Sequence, residues 1–553
     1  MSATKQKPAG PSARNRVDLA GSEPVHFPLG VVRKSKRFRP QYPHRRRHVT
    51  VVLRPREGDE RILADLERIA FQPPARRHVP DRREFDRRYA ASREDIRNVA
   101  AFYENEGLRV VETSRRRRTV TLAGTFDELA RAFGVKFSHY DGPMGRYHSH
   151  DDPVAIPRQF AETIEGVLGL SNRPLFSRHA APAQSHLKTT HPHEVAKVYQ
   201  FPDHADGRGH AIAVICLGGG FHPADVAEYF ARRADKMPRV TVVELAGTKN
   251  DPVPKRVLAR FANALEHNAF LHGETKQLAQ KTIWTIEATM DVELAGSFAP
   301  GARIVAYFSP NTERGRFLAT THALAETPRP PSVISCSWGA PESSIPSQVL
   351  RVMNRCYQIA ALCGVTVCVS SGDSGKTEVN FPASSPYVLA CGGTHLRIKD
   401  GRTVETVWNE TFGGVPMSSS GGYSSFFGRP DWQRKPIARA KGKKRGRGVP
   451  DVAAKADLEG GYAILTGQRV IPMGGTSAAA PLWAGLVARL CQKMGKRVGF
   501  LNPFFYTQPF QRALRAICEG DNGRYRAGPG WNPCTGVGTP KGIHLLELLK
   551  GRK

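Results

Sequence analysis

The sequence predicts an α/β protein in which a parallel sheet flanked by helices follows a smaller α+β domain. Three observations predict it. Beyond residue 200, apolar runs such as HAIAVICL, RIVAYF, SVISCSW and GVTVCVSS alternate with helical segments such as PADVAEYFARRA and IPSQVLRVMNRCYQIAALC. Strands that are apolar throughout are buried on both faces, and helices between them supply parallel crossovers. Between 48 and 135, strands and helices follow the order of a split βαβ layer. A small, polar stretch, LFSRHAAPAQSHLKTTH, lies between the two regions and reads as a linker. At 553 residues the chain is also too long for one ordinary core.

Taken in order, residues 1–43 form a basic tail with little periodicity, expected to be a disordered arm. Residues 1–50 hold 12 basic and two acidic side chains. Residues 44–175 form the first domain, of ferredoxin-like α+β type. HVTVVLRP alternates as a strand and ERILADLERIAF reads as a helix. In SREDIRNVAAFYENEGL, Ser92 caps, Ile96, Val99 and Tyr103 recur at helical spacing, and Gly107 stops the helix. LRVVET and RTVTLAG follow as strands and TFDELARAFGV as a short helix. The linker spans 176–191, and the second domain runs from 192 to 553.

The chain carries 81 Lys and Arg against 50 Asp and Glu, a net charge of +31. Such an excess raises nucleic acid or an anionic surface as partners. Here it is spread over the tail, RRRR at 115–118 and KGKKRGR at 441–447, without a recognition motif, which favours a solvated basic surface. All nine cysteines lie beyond residue 180, mostly in apolar runs, so buried thiols are expected in place of a disulfide framework. No CxxC or HExxH pattern suggests zinc. No run of 18 apolar residues suggests a membrane span, and the first residues show no secretory h-region.

The chemistry is carried by MGGTSAAAP at 473–481. Ser477 sits between small residues at the start of an apolar helix, where glycines let backbone and substrate approach, Thr476 can cap, and alanines leave the hydroxyl uncrowded. A serine nucleophile needs a base. Upstream, TIWTIEATMDVELAGSFAPGA places Glu287 and Asp291 four apart, which stacks both carboxylates on one helical face, away from Ile283, Ile286, Met290 and Leu294. SGDSG at 371–375 adds Asp373 on a turn.

This order of motifs resembles the sedolisin family of serine-carboxyl peptidases, particularly its kumamolisin-like bacterial members, whose catalytic domain is subtilisin-like. The resemblance extends through PHEVAKVYQFP at 192–202, LGGGF at 217–221, SCSWG at 335–339, FPASSPYVLACGGT at 381–394, RGVPDVAAKAD at 447–457 and AGPGWNPCTGVGTPKG at 527–542. It implies that Ser477 is the nucleophile, Glu287 its base, Asp291 the partner of Glu287, and Asp373 a protonated donor to the oxyanion. It further implies acid activity on proteins or peptides, a prosegment over 44–175 that inhibits and assists folding, maturation cleavage within 176–191, and extracellular or periplasmic residence. A monomer is expected. Two other readings stay open at this stage: a catalytically silent relative used for binding, and a nucleic-acid-associated protein.

Three departures from the family pattern limit what carries over. Cys216 stands where many relatives have a glutamate, although its companion Trp338 is kept. The 376–380 loop is short, with Asn380 where an aspartate is frequent near the substrate pockets. The family binds calcium through an Asp-Ile pair, glycine carbonyls and a final aspartate. Here the matching positions are Ala516-Ile517, Gly528, Gly530 and Asn532, so both carboxylates are missing and calcium binding is expected to be weak or absent. Glu519 and Asp521 are near, though not at ligand positions. Cys518 and Cys534 flank the same loop, either bridged or as two packed thiols.

Overall fold

A computed structural model describes residues 15–25, 33–34, 38–142, 144–178, 181–182, 189–233, 235–266, 276–325, 330–375, 379–399, 402–412, 414–437 and 446–551. The first domain is built on β1 (Arg47–Leu53), α1 (Asp59–Ala70), α2 (Arg93–Asn105), β2 (Arg109–Ser114), β3 (Thr119–Gly124), α3 (Phe126–Phe133) and β4 (Ile164–Leu168). Its sheet is antiparallel with order β2-β3-β1-β4, the ferredoxin-like arrangement. Local signals place the helices. Ser92 Oγ accepts from the amides of Glu94 and Asp95, and Thr125 with Glu128 forms a reciprocal capping box at α3. The inward faces of Val49, Val51, Val99, Leu122, Leu129 and Phe133 make a separate core.

The tail corrects an expectation. Arg16–Asp18 pairs antiparallel with Ala155–Pro157, Arg16 reaches Glu106 at 2.9 Å, and Leu19 is buried, so part of residues 1–43 belongs to the first domain. A three-residue strand is too short for periodicity to show. Residues 1–14 of that tail lie outside the described residues.

In the second domain an eight-stranded sheet contains β7 (Ala211–Cys216), β8 (Arg239–Glu244), β9 (Arg303–Phe308), β10 (Val333–Cys336), β12 (Thr366–Ser370), β13 (Leu389–Lys399), β14 (Arg402–Val407) and β15 (Val452–Lys455). The path is β8-β9-β7-β10-β12-β13-β14, with β15 also on β13. Every pairing is parallel except β13 with β14. Helices α4 (Lys276–Phe298) and α6 (Thr476–Met494) pack together and against this sheet. The two intervening short strands of the linker are β5 (Ser177–Arg178) and β6 (Ala181–Pro182).

The first domain's sheet faces α5 (Ser347–Leu362) through polar as well as apolar contacts. Gln348 accepts from the Val167 amide, Arg314 donates to Thr50 Oγ1 at 2.9 Å, and Arg355 meets Glu165 at 3.3 Å. Arg118 is buried and paired with Glu165 at 2.6 Å, Arg117 contacts His322, and Arg116 grips Asp86. The RRRR run is therefore an ion-paired element at the domain interface, in contrast to the solvated basic loop that composition suggests. Of the 441–447 run, residues 441–445 lie outside the described residues.

Candidate active site

The carboxyl ends of parallel strands form a natural crevice for ligands. At this end the chain leaves β10 into β11 (Trp338–Pro341) and enters α6 from β16 (Arg469–Gly474). Gly475 is the helix N-cap with φ of 100°, a backbone conformation that favours glycine, and it allows the turn that presents Ser477. Thr476 does not cap. Its hydroxyl turns to Asp373 Oδ1 at 2.7 Å, and its amide donates to the same oxygen at 2.9 Å.

Glu287 and Asp291 lie on α4 one turn apart, as the spacing predicts, but the helix is buried all round at this level, and both carboxylates are essentially inaccessible. Ser337 joins Asp291 to Ser477. Its hydroxyl donates to Asp291 Oδ1 at 2.6 Å, while its carbonyl accepts from Ser477 Oγ at 3.3 Å. Ser477 Oγ also lies near enough to Glu287 to favour its charged form, yet neither Glu287 oxygen has a well-formed hydrogen bond among the described residues. Oδ2 of Asp291 and Oδ2 of Asp373 likewise have none. Three buried carboxyl groups with free oxygens are thus linked to Ser477, Glu287 as a neighbour, Asp291 through Ser337 and Asp373 through Thr476.

Burial decides their protonation. It raises Glu287 to about 7 against the opposing effects of Ser477 and Arg178. Asp291 is pushed well above the usual carboxylate range by burial and then by the neighbouring Glu287. Asp373 is pushed well up by burial, opposed by the two Thr476 donors. Glu287 and Asp291 interact strongly, so their protons belong to the pair, and burial favours its protonated forms.

Two short pieces of the linker pair with strands at this end. Ser177 and Arg178 pair antiparallel with Gly339 and Trp338, and Ala181 and Pro182 pair with Gly474 and Met473. A segment added to an exposed strand edge is how extended peptides are held. The Arg178 guanidinium, made harder to charge by burial, faces Glu287 and Asp373, which offset that cost. Residues 179–180 and 183–188, within the 176–191 stretch where cleavage is expected, lie outside the described residues. Sequence reasoning did not single out Ser337 or Arg178. Ser337 stood inside the quoted SCSWG motif, whereas nothing local distinguishes Arg178.

Residues 36–173 match the pro-kumamolisin activation domain, and residues 281–504 match the subtilase family. Kumamolisin of Bacillus sp. (strain MN-32) is 40% identical over 532 residues, covering 91% of each chain. The chain belongs to the sedolisin family. Tripeptidyl-peptidase 1 of Bos taurus is 28% identical over 468 residues, 75% of this chain and 76% of the relative. Pseudomonas sedolisin, a serine-carboxyl proteinase, superposes with a TM-score of 0.55 at 24% identity, over 66% of this chain and 99% of that one. The sedolisin fold, a subtilisin-like sheet preceded by a prodomain, is therefore the fold of this chain.

In this sedolisin the residues expected to depart from the family pattern are placed as follows. Cys216 is fully buried beside Asp291, Cys336 and Glu287, and burial and these neighbours keep its thiol protonated. Trp338 is buried, with its carbonyl accepting from Arg316 at 2.9 Å. Asn380 donates to the Ser371 carbonyl at 3.1 Å and so braces the Asp373 turn. Both Cys518 and Cys534 are free, and the Cys534 thiol donates to the Tyr525 carbonyl at 3.0 Å, so no bridge closes the C-terminal loop.

The residues at the family's calcium position do not fit a cation. Asn532 Nδ2 donates to the carbonyls of Ile517 at 3.4 Å and Gly528 at 3.3 Å, two of the oxygens that a calcium ion would take. A hard cation needs six or more oxygens, and here a hydrogen-bond donor sits among them. Asp521 Oδ1 is engaged by the Gly523 amide and by Asn409. No helix among the described residues is long and apolar enough to cross a membrane.

Proposed function

We propose that Ser477, Glu287, Asp291 and Asp373 are the working groups of an acid-acting serine-carboxyl peptidase that cleaves proteins or peptides. The chain is a serine-type peptidase made as a self-processing proenzyme. One observation supports the assignment of roles: Glu287 neighbours the Ser477 hydroxyl, Ser337 ties Asp291 to that serine, Thr476 ties Asp373 to the adjacent residue, and each buried carboxyl keeps an unengaged oxygen. Glu287 takes the Ser477 proton as the hydroxyl attacks the peptide carbonyl, and Asp291 holds and polarises Glu287. Protonated Asp373 donates to the oxyanion, a role that only the neutral acid can fill. Thr476 fixes Asp373 through Oδ1, leaving Oδ2 for the substrate.

Residues 44–175 with the linker supply the inhibitor, because β5 and β6 occupy the strand edges on which a substrate would lie. Cleavage within 176–191 removes them. Acid activity calls for an acidic surrounding, which favours extracellular or periplasmic residence. The test incubates wild type and Ser477→Ala from pH 3 to 7 and follows prosegment release and peptide cleavage. Wild type should do both at the acid end, and Ser477→Ala neither. A wild type inert throughout would transfer the case to a silent binding relative, the reading that Cys216 favours.

A further inference from the structure

The C-terminal loop is closed by a side chain where a sedolisin is expected to use a metal. Asn532 is buried and its side chain makes five hydrogen bonds. Nδ2 donates to the Ile517 and Gly528 carbonyls, while Oδ1 accepts from the Cys534 amide at 3.0 Å, the Thr535 amide at 3.0 Å and Thr535 Oγ1 at 3.2 Å. A carboxamide suits this place because it offers two donors and two acceptor lone pairs, whereas a carboxylate would set its oxygens against two carbonyls. That conflict is what a cation relieves when the residue is an aspartate.

The loop does not end there. The Cys534 carbonyl accepts from Ser419 Oγ at 2.7 Å, and the same Oγ accepts from the Gly393 amide at 2.9 Å. On either side of Ser419, the Ser418 amide donates to the Asp373 carbonyl at 3.0 Å, and the Ser420 amide donates to the Gly372 carbonyl at 2.8 Å. Ser420 Oγ accepts from the Ser374 amide at 2.9 Å. Hydrogen bonds joined through the backbone of Cys534 and of Ser418–Ser420 therefore lead from the Asn532 carboxamide to the turn that carries Asp373. The groups facing Asp373 besides Thr476 are Glu287 and Arg178.

We propose that the Asn532 carboxamide takes the place of a calcium ion in this sedolisin, and that through Cys534 and Ser418–Ser420 it is a positioning residue for Asp373. The loop is then closed without metal, and the chain folds and works in the presence of chelators. The positioning part rests on the role proposed for Asp373, and the metal part does not.

The test separates the two. In the full-length Ser477→Ala chain, Tm is measured with EDTA and with calcium chloride. The expected result is the same Tm in both. Asn532→Ala should lower Tm, and calcium should not restore it, whereas Ala516→Asp combined with Asn532→Asp should give a Tm that rises with calcium. A Tm of the Ser477→Ala chain that falls in EDTA and returns with calcium overturns the proposal, whatever the activity of the wild type. In the active background, Asn532→Ala should let solvent reach Asp373 and move the alkaline limb of kcat/KM down by about one pH unit, tenfold in activity beyond the midpoint. Ser419→Ala cuts the same run without touching Asn532 and should move the limb in the same direction, which covers the case of an Asn532→Ala chain that does not fold. An alkaline limb unmoved in Ser419→Ala overturns the positioning role.

Discussion

Ser337 binds Asp291 and Ser477 with its two ends: the hydroxyl donates to Asp291 Oδ1 at 2.6 Å, and the carbonyl accepts from Ser477 Oγ at 3.3 Å. It thereby sets the distance between Asp291 and Ser477. A hydrogen bond to a neutral acid contributes about 0.5–1.5 kcal/mol, so Ser337→Ala should lower kcat by roughly 2- to 10-fold with KM little changed. Steady-state kinetics at the acid optimum check this. An effect confined to KM would place Ser337 in substrate binding instead.

Asp373 must be protonated to donate to an oxyanion, and burial holds its proton affinity high. An asparagine can put its carbonyl where the Thr476 donors converge and an amide donor in the position of Oδ2. Asp373→Asn should therefore keep part of the activity, with a loss of no more than about 10²-fold. It should also lose the alkaline limb set by the acid. Profiles of kcat/KM from pH 3 to 8 decide it, and a retained limb would assign that limb to the Glu287–Asp291 pair.

Arg178 favours the charged forms of Glu287 and Asp373 while the linker is in place. Removing the guanidinium raises the proton affinity of both acids, so Asp373 stays protonated to higher pH. Arg178→Ala should then extend self-processing toward neutral pH. Gel densitometry of prosegment release over a pH series measures the shift, and a midpoint displaced toward lower pH would contradict it.

The two domains should respond to pH with opposite sign. Glu287, raised to about 7, and Asp291 and Asp373, both raised well above the usual carboxylate range, bind protons in the folded enzyme that the unfolded chain releases near pH 4. Their contribution is full below pH 4 and is lost as pH rises through their folded values, for Glu287 about 7. In the first domain, burial lowers His148 to about 3 and also depresses His150. Here the unfolded chain binds the protons, so the contribution is present above about pH 6.5 and lost as pH falls toward 3. Calorimetry of Ser477→Ala should show two transitions that separate on acidification, the prosegment's moving down. A His148→Phe variant should reduce that movement.

What could be read from the sequence was set by short-range relations. Glu287 and Asp291 were legible because helical geometry alone brings residues four apart together. The glycine turn before Ser477 and the serine cap at α2 were legible for the same reason. Their burial was not, since the stripe of Ile283, Ile286, Met290 and Leu294 suggested that the opposite side of the helix was more polar than its packed surroundings make it. Arg178 was invisible because its position comes from pairing with Trp338, 160 residues away in sequence. Arg118 and its neighbours looked like solvated charge until Glu165, Asp86 and Glu112 were brought to them by the fold. Asn532 was legible as a missing carboxylate, while the five bonds that replace it needed coordinates.

The pairing of Ser177–Arg178 with one strand edge and of Ala181–Pro182 with another has a consequence for what the enzyme can digest. A polypeptide must offer a stretch of straightened main chain, free of its own partners, before the serine can reach it. Compact proteins hide such stretches, and the rate of their destruction follows how often they come open. Acid that loosens the prey and protonates the enzyme would serve both halves of the encounter.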